Sequence, residues 1–259
     1  MSAPAILKVE NLSVRFGGVK ALTDVALEAK TGETTGIIGP NGAGKTTLFN
    51  CISGFIRPAG GARILLDGQD VIGRRVDAIA RAGIARTFQN ISLSRTRTAR
   101  ENILAGMHLS LGYGALAAML PLPGVARAEA EAGRAVAAVA DRVGIASRVL
   151  DMQVGALSLG LQKKVEVARA LVRGPRLLML DEPAGGLNDA ETRELMDCLR
   201  GLRAEPDLSI VLIDHDMNLV MPLCDHICVL NFGQRVAAGP PAAIQADPAV
   251  IACYLGTDA

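Results

Sequence analysis

Tryptophan is absent from this sequence, and aromatic residues of all kinds make up only 3% of it. So few rings exclude a surface that stacks successive bases of a nucleic acid strand. An excess of one charge is missing too: 27 Lys and Arg face 26 Asp and Glu, for a formal net charge of +1. That balance gives no global attraction to nucleic acid or anionic lipid. Cysteine is sparse and scattered, at Cys51, Cys198, Cys224, Cys228 and Cys253. An odd number without regular spacing reads as reduced thiols, not as a disulfide framework. The opening MSAPAILKVENLSV has neither a basic start nor a long apolar run, so no secretory leader is expected. No internal repeat or low-complexity tract occurs.

One stretch, 102–126, lacks charge altogether. Its length would cross a bilayer. However, Gly106, Gly112, Gly114, Pro121, Pro123 and Gly124 interrupt it, so it reads as a surface insertion or helical lobe. CDHIC places Cys224, His226 and Cys228 at alternate positions. Three ligands fall short of a closed structural metal site, and HICVLN reads instead as a buried strand.

Half of the 259 residues are hydrophobic, enough for a sizeable core. ILKVE (6–10), TTGII (34–38), ILLDG (64–68), LLML (177–180) and SIVLI (209–213) read as strands. The middle, about 100–170, is rich in Ala, Arg, Glu and Leu and reads as helical. The last two apolar runs lead directly into Asp181-Glu182 and Asp214-His215. Buried strands that end in polar residues describe an α/β sheet with its ligand outside those ends.

GPNGAGKT, residues 39–46, fits G-x-x-x-x-G-K-[ST] between a strand and a helix expected over KTTLFNCISGF. Gly39, Pro40, Asn41, Gly42, Ala43, Gly44 and Lys45, with Thr46 and Thr47, form a candidate phosphate cradle. Glycine there lets main-chain N–H groups approach phosphate oxygens, and the helix N-terminus adds positive dipole. Lys45 is placed to reach the β- and γ-phosphates, and Thr46 to ligate Mg²⁺. In LLMLDEP, Asp181 is a candidate for holding Mg²⁺ and Glu182 for polarising the attacking water. In LLIDHDM, His215 is a candidate partner of the γ-phosphate. Farther up the chain, ALSLGLQKKVEVARAL reads as a turn and a helix with Val165, Ala168 and Val172 on one side.

The order GPNGAGKT, RTFQN, LSLGLQ, LLMLDEP, IDHD resembles the ATP-binding subunits of ABC transporters across essentially the whole chain. The resemblance implies a single ABC ATP-binding domain over 1–259. Its fold would be α/β, a P-loop NTPase (RecA-like) core with an antiparallel β subdomain and an α-helical subdomain. The helical part would span about 90–170, and a C-terminal tail about 240–259. The family's signature LSGGQ is matched at Leu157, Ser158 and Gly160, with Leu159 and Leu161 in the third and fifth places. ATPase activity is expected to survive Leu161. The resemblance gives Ser158 and the Gly160 amide to the γ-phosphate of ATP held by another subunit. It gives Phe16 to adenine, and Gln89 to Mg²⁺ and the attacking water.

Within the family, GVKAL, RTFQN, GGLN after DEPA, the ending PAAIQADPAVIACYLG and an insertion at about 106–128 are similar to branched-chain amino acid importer ATPases. That likeness implies integral-membrane permease subunits, a sister or identical ATP-binding subunit, an indirect extracytoplasmic solute-binding protein and a place on the cytoplasmic membrane face. Urea or small-amide import and lipopolysaccharide export stay open as alternatives, and so does an ATP-binding regulatory module. A non-transport ABC ATPase for DNA repair or ribosome work is disfavoured: neither long coiled-coil arms nor a second ATPase cassette is seen in the sequence, and SRTRTAR (94–100) is interrupted by Thr and Ala with no aromatic within it.

Overall fold

The computed structural model describes residues 4–89, 92–108 and 123–255. In chain order the strands are β1 (Ala5–Phe16), β2 (Val19–Lys30), β3 (Thr34–Ile38), β4 (Arg63–Leu66), β5 (Gln69–Asp70), β6 (Ile84–Arg86), β7 (Leu177–Asp181), β8 (Ser209–Ile213), β9 (His226–Asn231) and β10 (Gln234–Gly239). The helices are α1 (Lys45–Ile52), α2 (Val76–Arg81), α3 (Ala99–Ala105), α4 (Pro123–Arg142), α5 (Ser147–Leu150), α6 (Leu159–Leu171), α7 (Asp189–Arg203), α8 (Met217–Leu223), α9 (Pro241–Ala246) and α10 (Pro248–Leu255). They group into two compact units.

The first unit comprises residues up to Arg86, Arg176–Ala184 and the chain from Arg203 onward. It holds both sheets. One is antiparallel, in the order β2-β1-β4-β5; the other runs β10-β9-β3-β8-β7-β6. In the larger sheet β9, β3, β8, β7 and β6 are parallel, and β10 closes one edge antiparallel. Every residue of β3, β7 and β8 is buried. This is why the strands are mostly apolar and do not alternate, with Thr34, Thr35, Asp181 and Ser209 as their buried polar residues. The two sheets share one core with α1, in which Leu7, Val9 and Leu22 cluster with Phe49, Met179 and Val211. β4 and β5 are joined at Asp67 and Gly68, with φ of 48° and 76°. That pair of left-handed residues is the two-residue hairpin turn that Asp-Gly favours.

The second unit comprises Thr87–Pro175 and Gly185–Leu202. Thr98 caps α3 and exchanges hydrogen bonds with Glu101, a capping box. The arginines of SRTRTAR include two with acidic partners: Arg97 pairs with Glu101 at 2.9 Å and Arg100 with Asp151 at 3.0 Å. α3 ends against α6 so closely that a Cβ on Gly106 would lie 2.2 Å from the Arg169 carbonyl. Val165, Ala168 and Val172 are buried together, as their spacing predicts.

Among the described residues no helix is long and apolar enough to cross a membrane, and no cluster of His, Cys, Asp and Glu could hold a metal ion. Most of the charge-free insertion, at 109–122, lies outside the described residues. The alternation expected for CDHIC needs correction: His226 and Cys228 are on β9, but Cys224 caps the C-terminus of α8. A helix end interrupts the two-residue period there.

Candidate nucleotide site

In the first unit, register brings three strand ends abreast. Ile37 of β3 pairs with Ile213 of β8, which pairs with Asp181 of β7. The phosphate loop, the Asp214-His215 turn and Glu182 therefore leave the sheet at one edge, where open α/β sheets bind ligands.

The phosphate loop has three glycines at positive φ: Gly39 at 148°, Gly42 at 81° and Gly44 at 98°. A Cβ on Gly39 would meet the Leu230 carbonyl at 2.0 Å, and one on Gly44 the Ala21 carbonyl at 2.8 Å. The hairpin between β9 and β10 buttresses the same loop, since the Gly233 N–H donates to the Ala43 carbonyl at 3.1 Å. Lys45 opens α1 and is buried. Its ammonium donates to the carbonyls of Gly39 at 2.7 Å and Pro40 at 2.9 Å. Burial holds its pKa below the usual 10.5, against the opposing pull of Glu182 and Asp181. A cation is thus held inside the glycine loop, facing two carboxylates. Thr46 is exposed one residue farther on, and Phe16, at the end of β1, is 51% exposed.

Asp181 is buried and its Oδ2 accepts from Arg86 Nη2 at 2.8 Å. Arg86 also donates to Asn50 Oδ1 at 2.7 Å and lies over the Phe49 ring at 5.4 Å. Sequence reasoning missed Arg86; its signal was only a basic residue ending a three-residue strand. Glu182 has φ of +47°, an unusual conformation for a side chain of this size, and its N–H extends the ladder to Ile213 at 2.8 Å. Asp214 Oδ1 accepts from the N–H groups of His215 at 2.8 Å and Asp216 at 3.0 Å. Its Oδ2 accepts from Ala184 N–H at 3.3 Å. Burial raises the Asp214 carboxyl above its usual 3.8, a rise those three amides oppose. His215 itself is exposed.

The other three candidates belong to the second unit. Gln89 is exposed. Its neighbours are held from α6: Arg169 donates to the Ser92 carbonyl at 2.8 Å and to its hydroxyl at 2.7 Å. Glu166, 2% exposed, receives the main-chain N–H groups of Phe88 and Ser92. Ser158 caps α6, its hydroxyl accepting from Leu161 N–H at 3.3 Å. The Gly160 N–H donates to Glu191 Oε1 at 3.0 Å. Glu191 is a second residue that the sequence reading passed over; the N-x-x-E spacing from Asn188 was its signal.

The family model of the ABC transporter matches residues 22–185, which include the phosphate loop, the Ser158 cap and both strand-end carboxylates. This chain belongs to the ABC transporter ATPases. A second model, of the branched-chain amino acid ATP-binding cassette transporter, matches residues 234–259 of this ABC ATPase. It is 44% identical over 256 residues to the high-affinity branched-chain amino acid transport ATP-binding protein BraF of Pseudomonas aeruginosa, with 99% of each chain covered. LivG of Escherichia coli, with the same description, is also 44% identical over 256 residues and 99% of each chain. A solved nucleotide-free ATP-binding cassette from an ABC transporter superposes with a TM-score of 0.84 at 30% identity, covering 98% of this chain and 100% of that one.

ABC ATPases hydrolyse ATP, and the residues present fit that substrate. The loop is open beside Gly42, where a Cβ would meet nothing within 4 Å. Lys45 is already within it, and acidic groups follow the adjacent strands. ATPase subunits of these transporters dimerise and work with membrane permeases.

Proposed function

We propose that this ABC ATPase is the energy-coupling subunit of an importer for branched-chain, hydrophobic amino acids. The observation that carries the reading is likeness from end to end: 44% identity over 99% of the chain to two transport ATP-binding proteins of that description. The match of residues 234–259 to the branched-chain model extends it into the tail.

In this reading Phe16 stacks on adenine, and the main-chain N–H groups of 41–47 with Lys45 hold the phosphates. Thr46 and Asp181 would hold Mg²⁺, which would neutralise charge on the phosphates. The donors are oxygens, as a hard cation requires. Glu182 takes the proton of the attacking water and His215 hydrogen-bonds the γ-phosphate. Ser158 and the Gly160 amide serve the nucleotide of a second ATP-binding subunit, a sister chain or a copy. The pair binds two permease subunits at the cytoplasmic face of the membrane, and a solute-binding protein supplies the amino acid from outside.

The test is uptake of labelled leucine and urea by the native host, with wild type compared with a chromosomal Glu182→Gln strain of equal expression. Loss of a general base lowers turnover by about 10²–10⁴-fold. Leucine uptake is therefore expected to vanish while urea uptake is unchanged. Selective loss of urea uptake would keep the mechanism and replace the substrate. No change in either would remove the importer assignment.

A further inference from the structure

Ser158 and Gly160 do not face solvent alone. The Gly160 N–H is taken by Glu191 Oε1 at 3.0 Å, and the Ser158 hydroxyl is bonded to the same carboxylate. The fit is close: a Cβ on Gly160 would lie 3.0 Å from Glu191 Cγ and 3.1 Å from its Cβ. The negative charge therefore lies at the N-terminus of a 13-residue helix, where the dipole favours an anion.

Capping alone does not require this arrangement. Asn188 begins α7, and its Oδ1 accepts from the N–H groups of Ala190 and Glu191, each at 3.0 Å. Glu191 Oε2 accepts in return from Asn188 N–H at 3.3 Å, which completes a capping box. A glutamine at that position serves the box equally well. The other oxygen reaches 31 residues along the sequence to two donors that the cap does not use.

We propose that Glu191 is a built-in competitor for the γ-phosphate at the signature half-site. Its carboxylate holds the two donors in the ATP-free chain. ATP carried by the second subunit must displace it, because two anions cannot share one N–H group and one hydroxyl. Glu191 thereby sets the ATP concentration at which the two subunits close. The inference rests on Ser158 and Gly160 acting on nucleotide in trans.

The test uses the complex that co-purifies with the full chain, in a Glu182→Gln background that retains ATP. The readout is the ATP concentration giving half-maximal occlusion of radiolabelled nucleotide after rapid gel filtration. Glu191→Gln keeps the capping box and removes the charge. It is expected to lower the midpoint about tenfold, the scale of one charge-assisted hydrogen bond. Glu191→Ala is expected to act in the same direction. Ser158→Ala, by contrast, is expected to raise the midpoint. If Ser158→Ala raises it while Glu191→Gln leaves it unchanged or raises it, the competitor is overturned and the half-site stands. An unchanged midpoint in Ser158→Ala overturns the half-site, and the competitor with it.

Discussion

Gly39 and Gly42 both have positive φ, but for different physical reasons. At Gly39 the space is filled: the Leu230 carbonyl would lie 2.0 Å from a new Cβ. At Gly42 the space is open, and only the φ of 81° disfavours a side chain. Gly42→Ala therefore costs about 1–2 kcal/mol of left-handed strain, a fall in Tm of roughly 2–8 °C for a chain of this size. Its methyl group would nevertheless project where phosphate oxygens approach, so stabilisation by Mg-ATP is expected to disappear. Gly39→Ala is expected to lose far more stability, because backbone must move. Thermal denaturation of both variants, with and without Mg-ATP, checks the pair. A Gly42→Ala protein stabilised by ATP as fully as wild type would mean that the loop does not cradle phosphate there. The motif made all these glycines legible, since its chemistry fixes their spacing. It did not reveal Arg86 or Glu191, whose importance lies in partners 95 and 31 residues away.

Loops gain their form from side chains that bind several amides at once, and the turn after β8 shows this most clearly. Asp214 accepts N–H groups from its own turn and from Ala184 after β7, so one carboxylate ties two neighbouring strand ends together. Burial raises its pKa above 3.8 all the same. A carboxyl whose folded pKa exceeds its unfolded value binds its proton more tightly when folded. Its contribution to stability is full below pH 3.8 and is lost as pH rises through the folded value. Asp214→Asn removes that titration and keeps an acceptor for His215 and Asp216. The unfolding free energy of the Asn variant minus that of wild type is thus expected to become more favourable from acid pH toward neutrality. Urea titrations across that interval measure it, and a flat difference would show that native Asp214 ionises without penalty. Elements buried on both sides, such as LLML and IVLI, were readable because buried parallel strands are near-continuous apolar runs. β6 was not readable, for three residues are too few to carry a period.

At the scale of the whole molecule, sequence order hides which segments meet. β6 and β7 pair side by side, Ile84 with Leu177, although most of the helical unit lies between them in the chain. No local pattern encodes that adjacency. The cysteines offer a readout that spans both units. Burial pushes Cys51, Cys198 and Cys228 up to about 11 from 9.0, and Cys224 up to about 12. A rise of two pH units lowers the thiolate fraction near neutrality about a hundredfold. Cys253, on α10, is only half-buried, with Asn231 Nδ2 at 3.2 Å from its sulfur. Cys198 on α7 is half-buried as well, so alkylation of the native chain with iodoacetamide at pH 8 is expected to modify Cys253 first, Cys198 more slowly, and to leave Cys51, Cys224 and Cys228 unreacted. In urea all five should react, and peptide mass spectrometry assigns each site. Early labelling of Cys228 in the native protein would contradict the burial of β9 and the parallel pairing of β9 with β3. Labelling of Cys198 in the native protein as fast as in urea would place the fault in α7, because that thiol reports on the helical unit alone.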